Sequence, residues 1–144
     1  MKAKVVKLNP QAQIPTQESQ EAAGYDLYAC IPSSVEIKPG ETVKIGTGLS
    51  IEFENNYAGF LFARSGLATK RGLRPANCVG VCDSDYRGEY IVALYNDSDR
   101  LQTINPGDRI AQLVVMPVLH TIFEEVENLS DTARGSGGFG STGN

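Results

Sequence analysis

Asp83 is the residue of this chain best suited to move a proton. It sits in Gly80-Val-Cys-Asp-Ser-Asp-Tyr-Arg-Gly88, between two apolar runs. A hairpin needs turn residues there, but it does not need two aspartates and a tyrosine. Asp83 directly follows the apolar run 79–82 and is expected at the edge of the core. Burial there would raise its pKa and suit it to act as a general base on water. Asp85 would point the same way if the strand continued, and the two would then offer a weakly specified pair of oxygens to a metal. A polar loop whose aspartates cap turns has the same composition.

Charge recognition has its own candidates. In Phe62-Ala-Arg-Ser-Gly-Leu-Ala68 a strand runs towards a helix start, with Ser65 suited to cap it. Unpaired amides at a helix start attract anions, and Arg64 adds a full charge on a planar fork. An ordinary capped turn beside a surface arginine would read the same. Asp26, in Gly24-Tyr-Asp-Leu27, is an acid within an apolar strand; it also suits an ion pair with a neighbouring arginine. Gly107-Asp-Arg-Ile-Ala-Gln-Leu113 places Arg109 and Gln112 three apart. Strict alternation sends them to opposite faces, and Asp108–Arg109 also suits a structural ion pair.

The residues from Arg134 to Asn144 are rich in glycine, with one arginine, one phenylalanine and three hydroxyl side chains. They offer almost nothing to bury and predict a mobile tail. Their types nevertheless suit a nucleotide: a cation and hydroxyls for phosphate, a flat ring for a base, and glycines for close approach. Such a tail, ordering over a ligand, would be a lid. The glycine spacing imitates a dinucleotide fingerprint and a P-loop, but Ser141 stands where the P-loop lysine belongs, and both motifs need a helix to follow.

The elements that must position these groups read as short strands broken by turns. Strands are expected at 3–8, 25–29, 49–53, 58–63, 79–82, 89–95 and 109–118, with one short helix at 65–71. Lys38-Pro-Gly-Glu41 and Asn105-Pro-Gly-Asp108 are strong turn signals. The pattern predicts an all-β sandwich or barrel. A single domain is expected over 1–133, followed by the glycine-rich segment 134–144. The acidic stretch Glu124-Glu-Val-Glu127 reads as solvated surface.

Composition narrows the function. A net charge of −4 and a pI near 5.0 argue against a dedicated nucleic-acid binder. No apolar run is long enough to span a membrane. The N-terminal residues lack the long apolar stretch of a signal peptide, which predicts a cytoplasmic location, or a nuclear or organellar one for a targeted eukaryotic protein. Cys30, Cys78 and Cys82 lack a Cys-x-x-Cys pattern and are expected as buried free thiols. His120, the only histidine, has no nucleophile pattern nearby and reads as structural or exposed. A carboxylate is therefore the expected base.

Taken in order, Ala23-Gly-Tyr-Asp-Leu27, Ala63-Arg-Ser-Gly-Leu-Ala68, Gly80 to Gly88, Gly107 to Leu113 and Arg134 to Gly143 resemble the five motifs of the trimeric deoxyuridine triphosphatases (dUTP diphosphatases). Cys82 departs from the family, which usually has an aliphatic residue there. The resemblance implies a jelly-roll-like β-barrel with a flexible C-terminal arm. It implies a homotrimer whose active sites draw on three subunits, and hydrolysis of dUTP to dUMP and pyrophosphate with Mg²⁺. Such an activity limits uracil incorporation into DNA and supplies dUMP for thymidylate synthesis.

By the same resemblance, Asp83 is the base for water attacking the α-phosphorus, while Arg64, Ser65 and Gly66 cradle phosphate. Gln112 contacts or supports phosphate, and Asp26 supports the hydrated metal. Asn77, Gly80 and the hairpin backbone read uracil. Tyr86 lies beneath deoxyribose and leaves no room for a 2′-hydroxyl. In the arm, Phe139 stacks on uracil, Arg134, Ser141 and Thr142 hold the γ-phosphate end, and Gly140 is among the substrate-binding residues. Two other readings remain: a dCTP deaminase, which needs a proton-shuttling glutamate in the nucleotide pocket, and a regulatory trimer whose partner affinity depends on dUTP.

Overall fold

Short runs of alternating side chains build this protein around one apolar centre. The computed structural model describes residues 1–138. Its strands are β1 (Lys4–Lys7), β2 (Tyr25–Tyr28), β3 (Val35–Ile37), β4 (Thr42–Gly46), β5 (Leu49–Glu52) and β6 (Tyr57–Phe62), followed by helix α1 (Ser65–Arg71). Then come β7 (Leu73–Pro75), β8 (Gly80–Cys82), β9 (Ile91–Asn96), β10 (Gln102–Ile104) and β11 (Arg109–Pro117). Every strand pairing is antiparallel. The largest sheet has the order β2-β11-β6-β8; β4-β9-β7 forms a second, and β1-β5 and β3-β10 are two-stranded. The result is the all-β, jelly-roll-like fold expected, with its one short helix at the expected residues.

Strand β9 shows how the pattern works. Val92, Leu94 and Asn96 point inward, while Ile91, Ala93 and Tyr95 are more exposed. Leu27, Ile37, Ile45, Leu49 and Ile104 meet them in the centre, each essentially without exposed surface. Burial of each such side chain is worth roughly 2 kcal/mol. Asn96 is a buried polar exception, satisfied by donating to the Ile37 and Arg100 carbonyls at 2.8 and 2.7 Å and accepting from the Ser98 amide at 3.0 Å.

Both expected Pro-Gly turns form. Gly40 and Gly107 take φ values of 73° and 81°, where glycine carries no Cβ penalty. In each turn the closing acid also accepts from the backbone amide of the first residue: Glu41 from Lys38 at 2.8 Å, and Asp108 from Asn105 at 2.9 Å. Asp108 is thus a turn-closing acid rather than the partner of Arg109. Strands β3, β4, β7 and β10 were not expected. β7 is an edge strand, which is what admits Pro75 at its end.

Helix α1 departs from expectation at its start. Arg64 occupies the N-cap, no side chain caps the helix, and Ser65 is its first residue. The helix ends at Gly72 in the left-handed region, whose amide donates to the Ala68 and Leu67 carbonyls. The chain leaves the sheets after Pro117, well before residue 134. Leu119, Ile122 and Phe123 on that departing segment are each more than 90% exposed, at 93, 94 and 93%. The acidic stretch after them is exposed, as expected.

Candidate active site

The sheet register brings three of the five segments together. Gln112 on β11 lies directly opposite Asp26 on β2 and opposite Phe62 on β6. Arg64 follows Phe62 by two residues, so its side chain can reach back across β11. Its Nε donates to Asp26 Oδ1 at 2.6 Å and its Nη2 to Oδ2 at 3.3 Å. Arg109 Nη1 donates to the same Oδ2 at 3.1 Å and also pairs with Glu18. Asp26 is buried, with only 9% of its side chain exposed. An unpaired carboxylate there would be costly, so the two guanidiniums stabilise its charge and it fixes their positions.

Arg109 and Gln112 therefore converge, against the expectation from strict alternation. The cause is a β-bulge: the β2–β11 register shifts between Arg109 and Ala111. One extra residue resets the parity of the strand, and Ile110 and Ala111 are both buried as a result. Gln112 Nε2 donates to the Ala63 carbonyl at 2.9 Å and so supports the segment that carries Arg64. Gly24 faces Gln112 so closely that a Cβ there would stand 2.6 Å from Oε1.

Gly24, Asp26, Arg64 and Gln112 line a cavity of about 340 Å³ with Glu18, Ser65 and Gly66. Ser65 and Gly66 are exposed at the uncapped first turn of α1. The first amides of a helix have no intrahelical acceptor. With no side chain satisfying them, these amides and Arg64 form a cradle suited to an anion. Glu18 was not anticipated; it lies in an irregular segment, and only its acidity signalled a partner for Arg109.

The third segment forms a second cavity, of about 220 Å³, whose lining includes Asn77, Gly80, Asp83, Tyr86 and Glu89. Strand β8 ends at Cys82, so Asp83 and Asp85 belong to the turn rather than to a continuing strand. Asp83 is exposed in the protomer, which overturns its expected burial. Tyr86 donates its hydroxyl to the Glu89 carbonyl at 3.1 Å, and its ring lies 6.1 Å from that of Tyr90, tilted by 38°.

Tyr90 also lines this cavity, and its hydroxyl is buried with no hydrogen-bond partner among the described residues. Burial, and secondarily the neighbouring Cys82 thiol, pushes its phenol well above the ordinary range. Burial likewise pushes the Cys82 thiol up. Of the three free cysteines only Cys82 is buried; Cys30 is half-buried. Cys78 is exposed because it occupies a left-handed turn, with φ of 62°, beside Asn77.

Glu89 was also not anticipated. Its Oε1 accepts from the Gly48 amide at 2.7 Å, tying the hairpin after β8 to the β4–β5 turn. His120 is exposed, as expected. Among the described residues no group of three His, Cys, Asp or Glu side chains could hold a metal, and no helix is long and apolar enough to cross a membrane.

The two cavities share no lining residue. Cys82 lies opposite Gly59 on β6, whereas the cradle begins at Arg64. At about 3.3 Å per residue, the span from Gly59 to Arg64 is roughly 17 Å. Arg64 also turns towards β2, away from β8. Of the fifth segment, Arg134 is exposed and its Nε donates to the Gly137 carbonyl at 2.9 Å. Phe139, Gly140, Ser141 and Thr142 lie outside the described residues.

The cradle is suited to an anion, and the separate pocket carries an amide, a carboxylate and an aromatic ring, chemistry that a nucleotide could use. A model of the dUTPase family matches residues 10–143, and the chain belongs to that family. It is 51% identical over 143 residues to the deoxyuridine 5′-triphosphate nucleotidohydrolase of Nautilia profundicola, covering 99% of both chains. A namesake from Acinetobacter baumannii is 42% identical over 148 residues, again covering 99% of both. Among solved structures, a dUTPase of Staphylococcus bacteriophage 80alpha with dUpNHpp superposes with a TM-score of 0.88 at 28% identity, covering 99% of this chain and 98% of that one. The dUTPase of phage phi11 of S. aureus, whose structure details the coordination of a structural Mg(II) ion, shares the fold with a TM-score of 0.82 at 24% identity, covering 91% of this chain and 100% of that one.

Proposed function

We propose that this chain is a dUTP diphosphatase: it hydrolyses dUTP to dUMP and pyrophosphate by water attack on the α-phosphorus. The observation that carries the mechanism is the pocket in which Asp83 stands beside Asn77, Gly80 and Tyr86. Asn77 and the hairpin backbone read the uracil edge. Cytosine reverses part of that donor–acceptor pattern and would leave buried polar groups unpaired, a penalty of roughly 10⁴-fold or more. The Tyr86 ring lies beneath the sugar and excludes a 2′-hydroxyl.

Asp83 orients the attacking water and takes its proton. The new bond joins the water oxygen to the α-phosphorus; the bond from that phosphorus to the α–β bridging oxygen breaks, and pyrophosphate leaves. Arg64 and the amides of Ser65 and Gly66 bind the negative charge on the phosphates, supported by Gln112. Arg134, Phe139, Gly140, Ser141 and Thr142 act as a lid that completes the phosphate and base contacts and excludes water.

The donor set fits a metal carried by the substrate rather than caged by the protein. Asp26 is committed to Arg64 and Arg109, and the described residues lack a metal-binding cluster. Mg²⁺ takes phosphate oxygens and waters readily, so Asp26 would support it only through the surrounding network. When bound, Mg²⁺ supplies charge neutralisation on the phosphates.

The base and the cradle must serve one phosphate group, yet they stand at opposite ends of β6. A site assembled between copies of the chain, in the homotrimer that the family resemblance implies, would bring them together. The exposed apolar side chains of Leu119, Ile122 and Phe123 support that assembly, because a second copy would cover them. Hydrolysis in ¹⁸O-labelled water tests the chemistry. Label in dUMP and none in pyrophosphate is the expected result; label in pyrophosphate would place the attack on the β-phosphorus and refute it.

A further inference from the structure

The Tyr86 ring is held from three sides, and one of those sides is an absence. Its hydroxyl donates to the Glu89 carbonyl at 3.1 Å. Its ring leans on Tyr90, which is only 1% exposed and cannot retreat. The third side is Gly88. A Cβ built there would stand 2.5 Å from Cζ and 2.9 Å from Cε2 of Tyr86, and closer still to the hydroxyl oxygen. Real Cβ atoms essentially never come within 3.0 Å of such neighbours.

Backbone conformation does not explain this glycine. Gly88 lies outside the left-handed region, so an alanine meets no φ penalty. What glycine provides is room for the ring. We propose that Gly88 is a specificity-determining position for the sugar, acting through Tyr86: by having no side chain it lets the ring settle where a 2′-hydroxyl would clash. This inference rests on the sugar role of Tyr86 proposed above.

The consequence is a separation of stability from selectivity. The atoms that a Cβ would strike are the far end of a half-exposed side chain. That end can swing outward with little effect on folding, since Tyr90 blocks only the inward path. Swinging out breaks the bond to the Glu89 carbonyl and vacates the excluded volume. Ribonucleotide is then admitted.

The experiment compares wild type, Gly88→Ala, Tyr86→Ala and the double variant. It measures kcat/KM for dUTP and for UTP, with thermal unfolding as a control for folding. Gly88→Ala is expected to lower the dUTP-over-UTP ratio by about tenfold or more. In the Tyr86→Ala background it is expected to add less than about twofold, because the two changes act through one ring. If Tyr86→Ala loses discrimination while Gly88→Ala keeps it, the role of Gly88 is refuted and that of Tyr86 stands. If Tyr86→Ala keeps full discrimination, the underlying sugar role falls. Should Gly88→Ala alone fail to fold, a folded double variant supports the steric account, and an unfolded one overturns it.

Discussion

Two inactive variants of this chain are expected to restore each other's activity. Asp83→Asn removes the base and Arg64→Ala removes the cradle's cation. If one chain supplied both groups to one substrate, every site in a mixture would carry one defect. The register argues otherwise: Cys82 is opposite Gly59, and Arg64, two residues past the end of β6, is about 17 Å further along the chain. Sites formed between copies draw the base from one subunit and the cradle from another. With equal, random mixing, half of the base donors and half of the cradle donors are intact, so about one quarter of the sites become functional in a closed oligomer. The assay co-refolds differently tagged variants, isolates mixed oligomers by both tags, and measures dUTP turnover per site. Doubly tagged trimers carry one functional site in three, so about a third of wild-type activity is expected for them, against near-zero parents, and about a quarter for the unselected mixture. Mixed oligomers no more active than their parents would refute the separation of the two half-sites.

Four further outcomes follow from named contacts. Asp83→Asn alone is expected to reduce kcat by orders of magnitude while leaving nucleotide affinity nearly unchanged; calorimetry with a non-hydrolysable analogue checks the second part. Asp26→Asn leaves two guanidiniums without their buried counter-charge and is expected to cost about 3 kcal/mol in urea unfolding; unchanged stability would show that the pair is not structural. Cys82 is expected to be the slowest of the three thiols to react with iodoacetamide near neutral pH. Burial raises its pKa and lowers its thiolate fraction, whereas Cys78 is exposed; mass-mapped labelling with Cys82 first would contradict this. Truncation before Arg134 is expected to leave a folded protein of very low activity, as read by circular dichroism and turnover; an unfolded product would make the segment structural.

Much of the site was legible because its parts are local. Asp83, Arg64 and Gln112 announced themselves by polar types beside apolar runs, and α1 by its short periodicity. What stayed hidden depended on contacts distant in sequence or on single-residue geometry. The convergence of Arg109 and Gln112 needs the bulge before Ala111, and alternation read along one strand cannot see an inserted residue. The burial expected for Asp83 failed because β8 stops at Cys82. Cys78 looked apolar and buried, yet its left-handed φ turns it outward. β3, β7 and β10 have three residues each, too few to show a period. β4 does alternate, with Thr42 and Lys44 exposed and Ile45 buried, but Gly46 at its end blurs the pattern.

Product analysis separates dUTP hydrolysis from its rivals. Purified protein with Mg²⁺ is given dUTP, dCTP, dTTP and UTP separately, and the products are resolved by chromatography. Release of dUMP and pyrophosphate from dUTP alone is the predicted result. Intact dUTP in the presence of folded protein, or ammonia released from dCTP, would contradict the account.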